Sequence, residues 1–188
     1  MATKFDPENA QNLVEIEKQF AVKVVEHAQT YWRLLARVNP RDLRLTAIDD
    51  EIYEDVMSSF PELAEPPHDK VAVLDEAWIK SDDGKKRWRD FMNRYEKKVK
   101  DHSFGCLIRT EAKGEYGELG TIFVPRMQFY AFEIARNRLG LNDPAHEIAK
   151  EDLAKEEAVK EEKRKERERE EKRREREREE KKKKKGGK

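Results

Sequence analysis

The strongest constraint on this chain lies between Gly120 and Asn142, which read GTIFVPRMQFYAFEIARNRLGLN. A β-type run gives way at Pro125 to a helix that is apolar almost all the way round. At about 100° per residue, Met127, Tyr130, Ala131, Phe132, Ile134, Ala135 and Leu139 cover roughly 240° of its circumference. Only a narrow sector is polar, where Glu133, Arg136 and Asn137 gather around Phe129. Such a helix has to sit at the centre of a small domain, and its few charges need a partner or a purpose.

The composition has to be read by segment. A mean hydropathy of −1.08 with 44% charged residues would suggest disorder if averaged over the chain. The charge is concentrated at one end. Residues 151–188 hold 14 acidic and 18 basic side chains, which leaves 27 and 23 of the 41 of each for residues 1–150. The tail's apolar residues are Leu153, Ala154, Ala158 and Val159. Residues 1–150 therefore form one globular domain, and 151–188 a charged tail.

Helical spacing marks a long amphipathic helix that opens at Asp6-Pro7, carries Leu13, Ile16, Phe20, Val24, Ala28, Tyr31, Leu35 and Val38, and closes before Asn39-Pro40. A shorter helix is expected from about Asp49 to Ser59. A third starts at Ser81-Asp82-Asp83-Gly84 with a stripe of Trp88, Phe91, Met92, Tyr95 and Val99. The runs Phe104–Thr110 and Thr121–Val124 read as a hairpin around a glycine-containing loop. Gly140 closes the central helix, and Asp143-Pro144 starts the last one. The fold class is α+β: a mainly helical small domain with one short β-hairpin and a charged C-terminal helical tail. That tail pairs opposite charges at i,i+3 and i,i+4 without an apolar stripe, so it reads as a single solvated helix ending in Lys181–Lys185.

Candidate chemistry is sparse. There is no GxxxxGK[ST] or GxGxxG, one cysteine (Cys106, read as a core thiol), and four scattered histidines. No metal, cofactor or catalytic residue is expected. Neither a secretory leader nor a membrane span is legible, which points to a cytoplasmic protein. Asp49-Asp50 and Asp82-Asp83 are read as helix caps, and the tryptophans as core, with Trp78 left in an irregular stretch. Arg109 and Arg126 bracket the hairpin; either they pair with Glu133 inside the domain or they face a partner.

FGCLIR (Phe104–Arg109), VPRMQFYAFEIARNRLGLN (Val124–Asn142) and the upstream WRDFMNRYEKKVKDHSFG (Trp88–Gly105) resemble the eukaryotic polysaccharide biosynthesis domain-containing protein 1 family, over most of residues 8–150. The family label suggests sugar chemistry, for which the sequence offers no DxD motif, donor-nucleotide loop or acid/base pair. The resemblance implies instead a non-enzymatic, dedicated co-translational chaperone. Its client would be the nascent GTPase domain of translation elongation factor 1-alpha, met at the ribosome or on ribosome-bound nascent-chain factors, and it would act as a monomer.

Such a helper needs a rigid surface with a few anchors. The candidates are Arg109, Arg126, Gln128, Phe129, Tyr130, Glu133, Arg136 and Asn137, with Lys181, Lys182, Lys183, Lys184 and Lys185 as a ribosome or RNA contact. Two alternatives stay open. The same central-helix residues could form a buried network linking helix to hairpin, and the chain could be an RNA- or ribosome-binding adaptor acting through its tail.

Overall fold

The helix α7 (Arg126–Arg138) is the axis on which the other elements pack, and ten of its thirteen residues are buried. A computed structural model describes residues 10–185, with side chains placed over 14–177. The Asp6-Pro7 start therefore lies outside the described residues. The order is α1 (Ala10–Arg37), a 3-10 turn (Pro40–Asp42), α2 (Asp49–Ser59), α3 (Pro61–Ala64), α4 (Asp69–Ala72), α5 (Glu76–Lys80), α6 (Asp82–Asn93), β1 (Gly105–Arg109), β2 (Thr121–Pro125), α7 and α8 (Asp143–Lys185). It is a mainly helical α+β domain with one two-stranded antiparallel sheet among the described residues.

The hairpin pairs Gly105 with Pro125 and Arg109 with Thr121. Cys106, Ile108, Ile122 and Val124 turn their side chains into the core. Pro125 cannot continue the ladder as a donor, and its fixed φ launches α7 directly from the strand. At the far end Gly140 takes a left-handed φ of 72°. The Leu141 N–H then reaches Arg136 O at 2.8 Å and the Gly140 N–H reaches Asn137 O at 3.3 Å. This double closure reverses the chain and returns Asn142 beneath α7.

Three expectations change. The stripe of the third helix continues past its end: α6 stops at Asn93, and Tyr95 and Val99 are buried from tight turns. There Tyr95 N donates to Met92 O and Lys98 N to Tyr95 O, i→i+3 bonds that end the α-helical ladder. Trp78 belongs to α5 and joins an aromatic cluster with Phe60 and Trp88. Asp82 and Asp83 do occupy the first turn of α6, capped by the Ser81 hydroxyl, which accepts from Gly84 N at 3.0 Å. Asp49, by contrast, caps nothing in α2. Its carboxylate accepts from Leu45 N, Thr46 N and the Thr46 hydroxyl at 2.7–2.8 Å, so it fastens the preceding loop.

Along α1 the inward stripe is buried from Val24 onward, at Val24, Ala28, Tyr31 and Leu35. Before that, the same stripe is open: Ile16 and Phe20 are 60% and 40% exposed.

The described residues divide into two units between Ala149 and Lys150. In the first, Ala145 and Ala149 at the start of α8 are buried. In the second, the helix is held by local pairs such as Arg164 with Glu161 (2.7 Å) and with Glu168 (3.0 Å), and its side chains are almost all exposed. Removing residues 151–188 should therefore shift the thermal midpoint of the remainder by no more than a few degrees. A truncated protein without near-UV circular dichroism would overturn that expectation.

Candidate functional site

The polar sector of α7 is a closed hub. Glu133, Arg136 and Arg109 are each 0% exposed, and Asn137 and Asn142 are buried beside them. α7 supplies Glu133 and Arg136 one turn apart, so both point to the side where β1 delivers Arg109. Glu133 Oε2 accepts from the Tyr31 hydroxyl (2.7 Å), Asn142 Nδ2 (2.8 Å) and an Arg109 terminal nitrogen (3.1 Å). Its Oε1 accepts from Arg136 at 2.8 Å. Arg136 spends its remaining donors on the carbonyls of Val71, Arg109 and Thr110 at 2.9–3.1 Å. Arg109 donates also to Ala112 O, Gly114 O and Asn142 Oδ1, with Trp32 and Tyr116 rings 5.5 and 5.8 Å from its guanidinium carbon.

This hub ties α1, the segment at Val71, the hairpin and its loop, α7 and the turn at Asn142 into one body. Burial by itself would push the Glu133 carboxyl up. The Arg109 and Arg136 guanidiniums, with hydrogen bonds from Tyr31 and Asn142, hold it down at about 2. Since the folded value lies below the ordinary 4.5, the contribution is complete above about 4.5 and is lost as pH falls through about 2. Wild-type stability should thus drop by about 3 kcal/mol more than that of Glu133→Gln between pH 5 and pH 2, by denaturant unfolding. Parallel pH profiles would count against a charged Glu133 in the core.

The eight proposed anchors accordingly separate. Arg109, Gln128, Phe129, Glu133, Arg136 and Asn137 are enclosed, so the open surface allowed for them is not present, and the network alternative describes their placement. The reason is that the charges satisfy one another, five backbone carbonyls and the Asn142 side-chain amide, which a solvated face would not require. Arg126 stays at the rim, 3.6 Å from Asp101 and over the Phe104 ring at 4.9 Å. Tyr130 is half-buried against Phe129. Lys181–Lys185 lie in α8, but their side chains fall outside the described residues. Tyr31 and Asn142 are hub members that the sequence hid, one inside an apolar stripe and the other as the residue after a helix stop.

What the surface does present is apolar. On α1, Val14, Ile16, Phe20, Val22 and Val25 are 40–60% exposed. The Phe20 ring meets Phe104 at 5.2 Å and Phe123 at 6.0 Å, and Phe123 is itself 48% exposed. Ile16 and Phe20 share one side of α1, and with Phe104 and Phe123 they form a ridge from the open half of α1 to the hairpin, while Val14, Val22 and Val25 lie on the other side of the helix. A cleft of about 360 Å³ elsewhere sets Arg41, Arg44 and Arg138 against Asp42, Asp49 and Asp50, which leaves no net field for a charged ligand. Among the described residues no group of three or more His, Cys, Asp or Glu side chains could hold a metal ion, and no helix is long and apolar enough to cross a membrane.

The fold and hub thus define a small α+β domain whose ionic core is locked and whose open feature is an apolar ridge. The PBDC1 protein family matches residues 16–147, and the chain belongs to that family. It is 54% identical to a PBDC1 homolog of Schizosaccharomyces pombe over 76% of this chain and 96% of that protein. A Saccharomyces cerevisiae PBDC1 homolog is 53% identical over 74% and 94%. The solution NMR structure of a Saccharomyces cerevisiae protein superposes with a TM-score of 0.66 at 51% identity, covering 77% of this chain and 98% of the other.

Proposed function

We propose that this protein is a non-catalytic, cytoplasmic chaperone that engages the nascent GTPase domain of translation elongation factor 1-alpha at the ribosome and shields it until it folds. The family membership supports the reading through what the resemblance implies. The structural observation that carries it is the ridge on α1. Ile16 and Phe20, open on one side of α1 and continued by the half-exposed Phe123, form a contiguous apolar surface of the kind that binds a partner. An unfolded GTPase domain exposes the complementary apolar segments. The hub keeps the platform rigid, so little ordering cost falls on binding.

The double variant Ile16→Ser, Phe20→Ser tests this. Both residues are substantially exposed, so unfolding should change by less than about 1 kcal/mol. Recovery of newly translated GTPase domain on tagged protein should fall at least about tenfold, equivalent to about 1.4 kcal/mol. Wild-type protein that recovers none of the domain sinks the reading. If it recovers RNA instead, in a manner that disappears at high salt and on removing 151–188, the tail-driven adaptor takes its place.

A further inference from the structure

The hairpin carries an unused edge. Arg126 N donates to Phe104 O and Thr110 N to Gly120 O, which fixes the even-numbered positions as the hydrogen-bonded pairs of the ladder. Thr121 and Phe123 therefore aim their N–H and C=O groups away from β1. The sheet has two strands among the described residues, so nothing continues the ladder on that side. Edges of this kind are ordinarily blunted by charge, yet β2 reads Thr-Ile-Phe-Val-Pro without a charged side chain. Only Pro125, which has no N–H, closes the strip at one end.

The ring at the middle of this strand turns toward β1 and so does not cross the outward main-chain groups. Phe123 leans over Gly105, where an added Cβ would fall 1.8 Å from the ring, so the glycine is what lets it lie across the sheet. Phe20 and Phe104 extend the same apolar strip from there.

We infer that the outer edge of β2 takes an extended, uncharged apolar segment of an unfolded polypeptide as a third strand. Main-chain hydrogen bonds to the outward groups of Thr121 and Phe123 would hold it. The absence of charge along β2 selects an uncharged guest, and main-chain pairing makes the recognition indifferent to its sequence. This deepens the chaperone reading and rests on it for the identity of the natural guest; the mode of binding is tested without that guest.

The probe is a capped peptide of about six alternating Val and Thr residues, the length of an ordinary strand. Amide exchange is followed by NMR on the full chain. In the free protein the Phe123 amide should exchange at least about tenfold faster than those of Ile122 and Val124, and saturating peptide should slow it by a similar factor. Phe123→Pro, which removes the ring and an outward N–H but no hydrogen bond of the existing ladder, should abolish peptide binding, whereas Phe123→Val, which removes the ring and keeps the N–H, should bind within about threefold of wild type. No peptide binding, or binding without protection of Phe123, overturns the inference. So does protection that grows with protein concentration alone, since the edge would then serve a second copy of this chain. Capture of the nascent GTPase domain with Phe123 unprotected overturns strand addition and leaves the chaperone reading standing. Peptide binding with protection but no capture of that domain does the reverse.

Discussion

Glu133→Ala should cost the domain about 3–5 kcal/mol, a large part of the 5–15 kcal/mol that holds a domain of this size together. The carboxylate is the one anion between two fully buried guanidiniums, at 3.1 Å from Arg109 and 2.8 Å from Arg136. Deleting it leaves two like charges in an enclosed space, and strands the Tyr31 hydroxyl and Asn142 amide as well. Glu133→Gln keeps the shape and one acceptor but not the charge, and should fall between wild type and alanine. Chemical denaturation of the three proteins at neutral pH settles the order. A loss below about 1 kcal/mol for alanine would mean the hub is solvated, and would return Glu133 and Arg136 to the list of partner contacts.

Trp88→Ala should be comparably severe, at about 3–5 kcal/mol. Its ring stacks on Phe60 with centroids 4.2 Å apart, and meets Phe132 at 5.1 Å, Phe91 at 5.6 Å and Trp78 at 6.4 Å. No small rearrangement of α5 or α6 fills that volume, because Phe60, Phe91 and Trp78 each already rest on another ring. Trp88→Phe gives the sharper test. The indole N–H is buried without a hydrogen-bond partner among the described residues, so phenylalanine removes an unmet donor while losing part of the packing. It should cost about 1 kcal/mol or less. Equal losses for alanine and phenylalanine would show that the indole nitrogen has a partner, such as an ordered water.

The surface assigned to client binding and the core assigned to stability are thus separable. Under the proposed function, substitutions at Ile16 and Phe20 should lower binding with the fold intact, whereas those at Glu133 and Trp88 should lower it through loss of the fold. Gln128, Phe129, Arg136 and Asn137 on α7 belong with Glu133, while Arg126 and Tyr130 do not.

Local signals settled most of the skeleton. Apolar spacing of three and four placed α1 and α6, Asp49 to Ser59 became α2, Pro125 ended the strand that leads into α7, and Gly140 stopped that helix in a left-handed turn. Each depends on backbone chemistry within a few residues, and so is written into the sequence. The near-complete apolar circumference of α7 likewise required a central position, which it has. The short helices α3, α4 and α5 left no such trace, since four or five residues are too few to show a period; they are held by tertiary packing of Leu63, Val71 and Ile79.

The sense of the polar residues was decided only in three dimensions. In sequence, Glu133 and Arg136 present the same pattern whether they face water or one another. Arg109, 24 residues from Glu133, Tyr31, 102 residues away, and the carbonyls at Val71 and Thr110 make them a core, and no periodicity reports contacts at such separations. The same holds in reverse for α1. Its stripe runs unbroken from Ile16 to Leu35, but the domain is wide enough to cover only the part from Val24 onward. Spacing can say which face of a helix is apolar. Whether that face is buried depends on what the rest of the chain brings against it, and here the uncovered half is the surface proposed for the client.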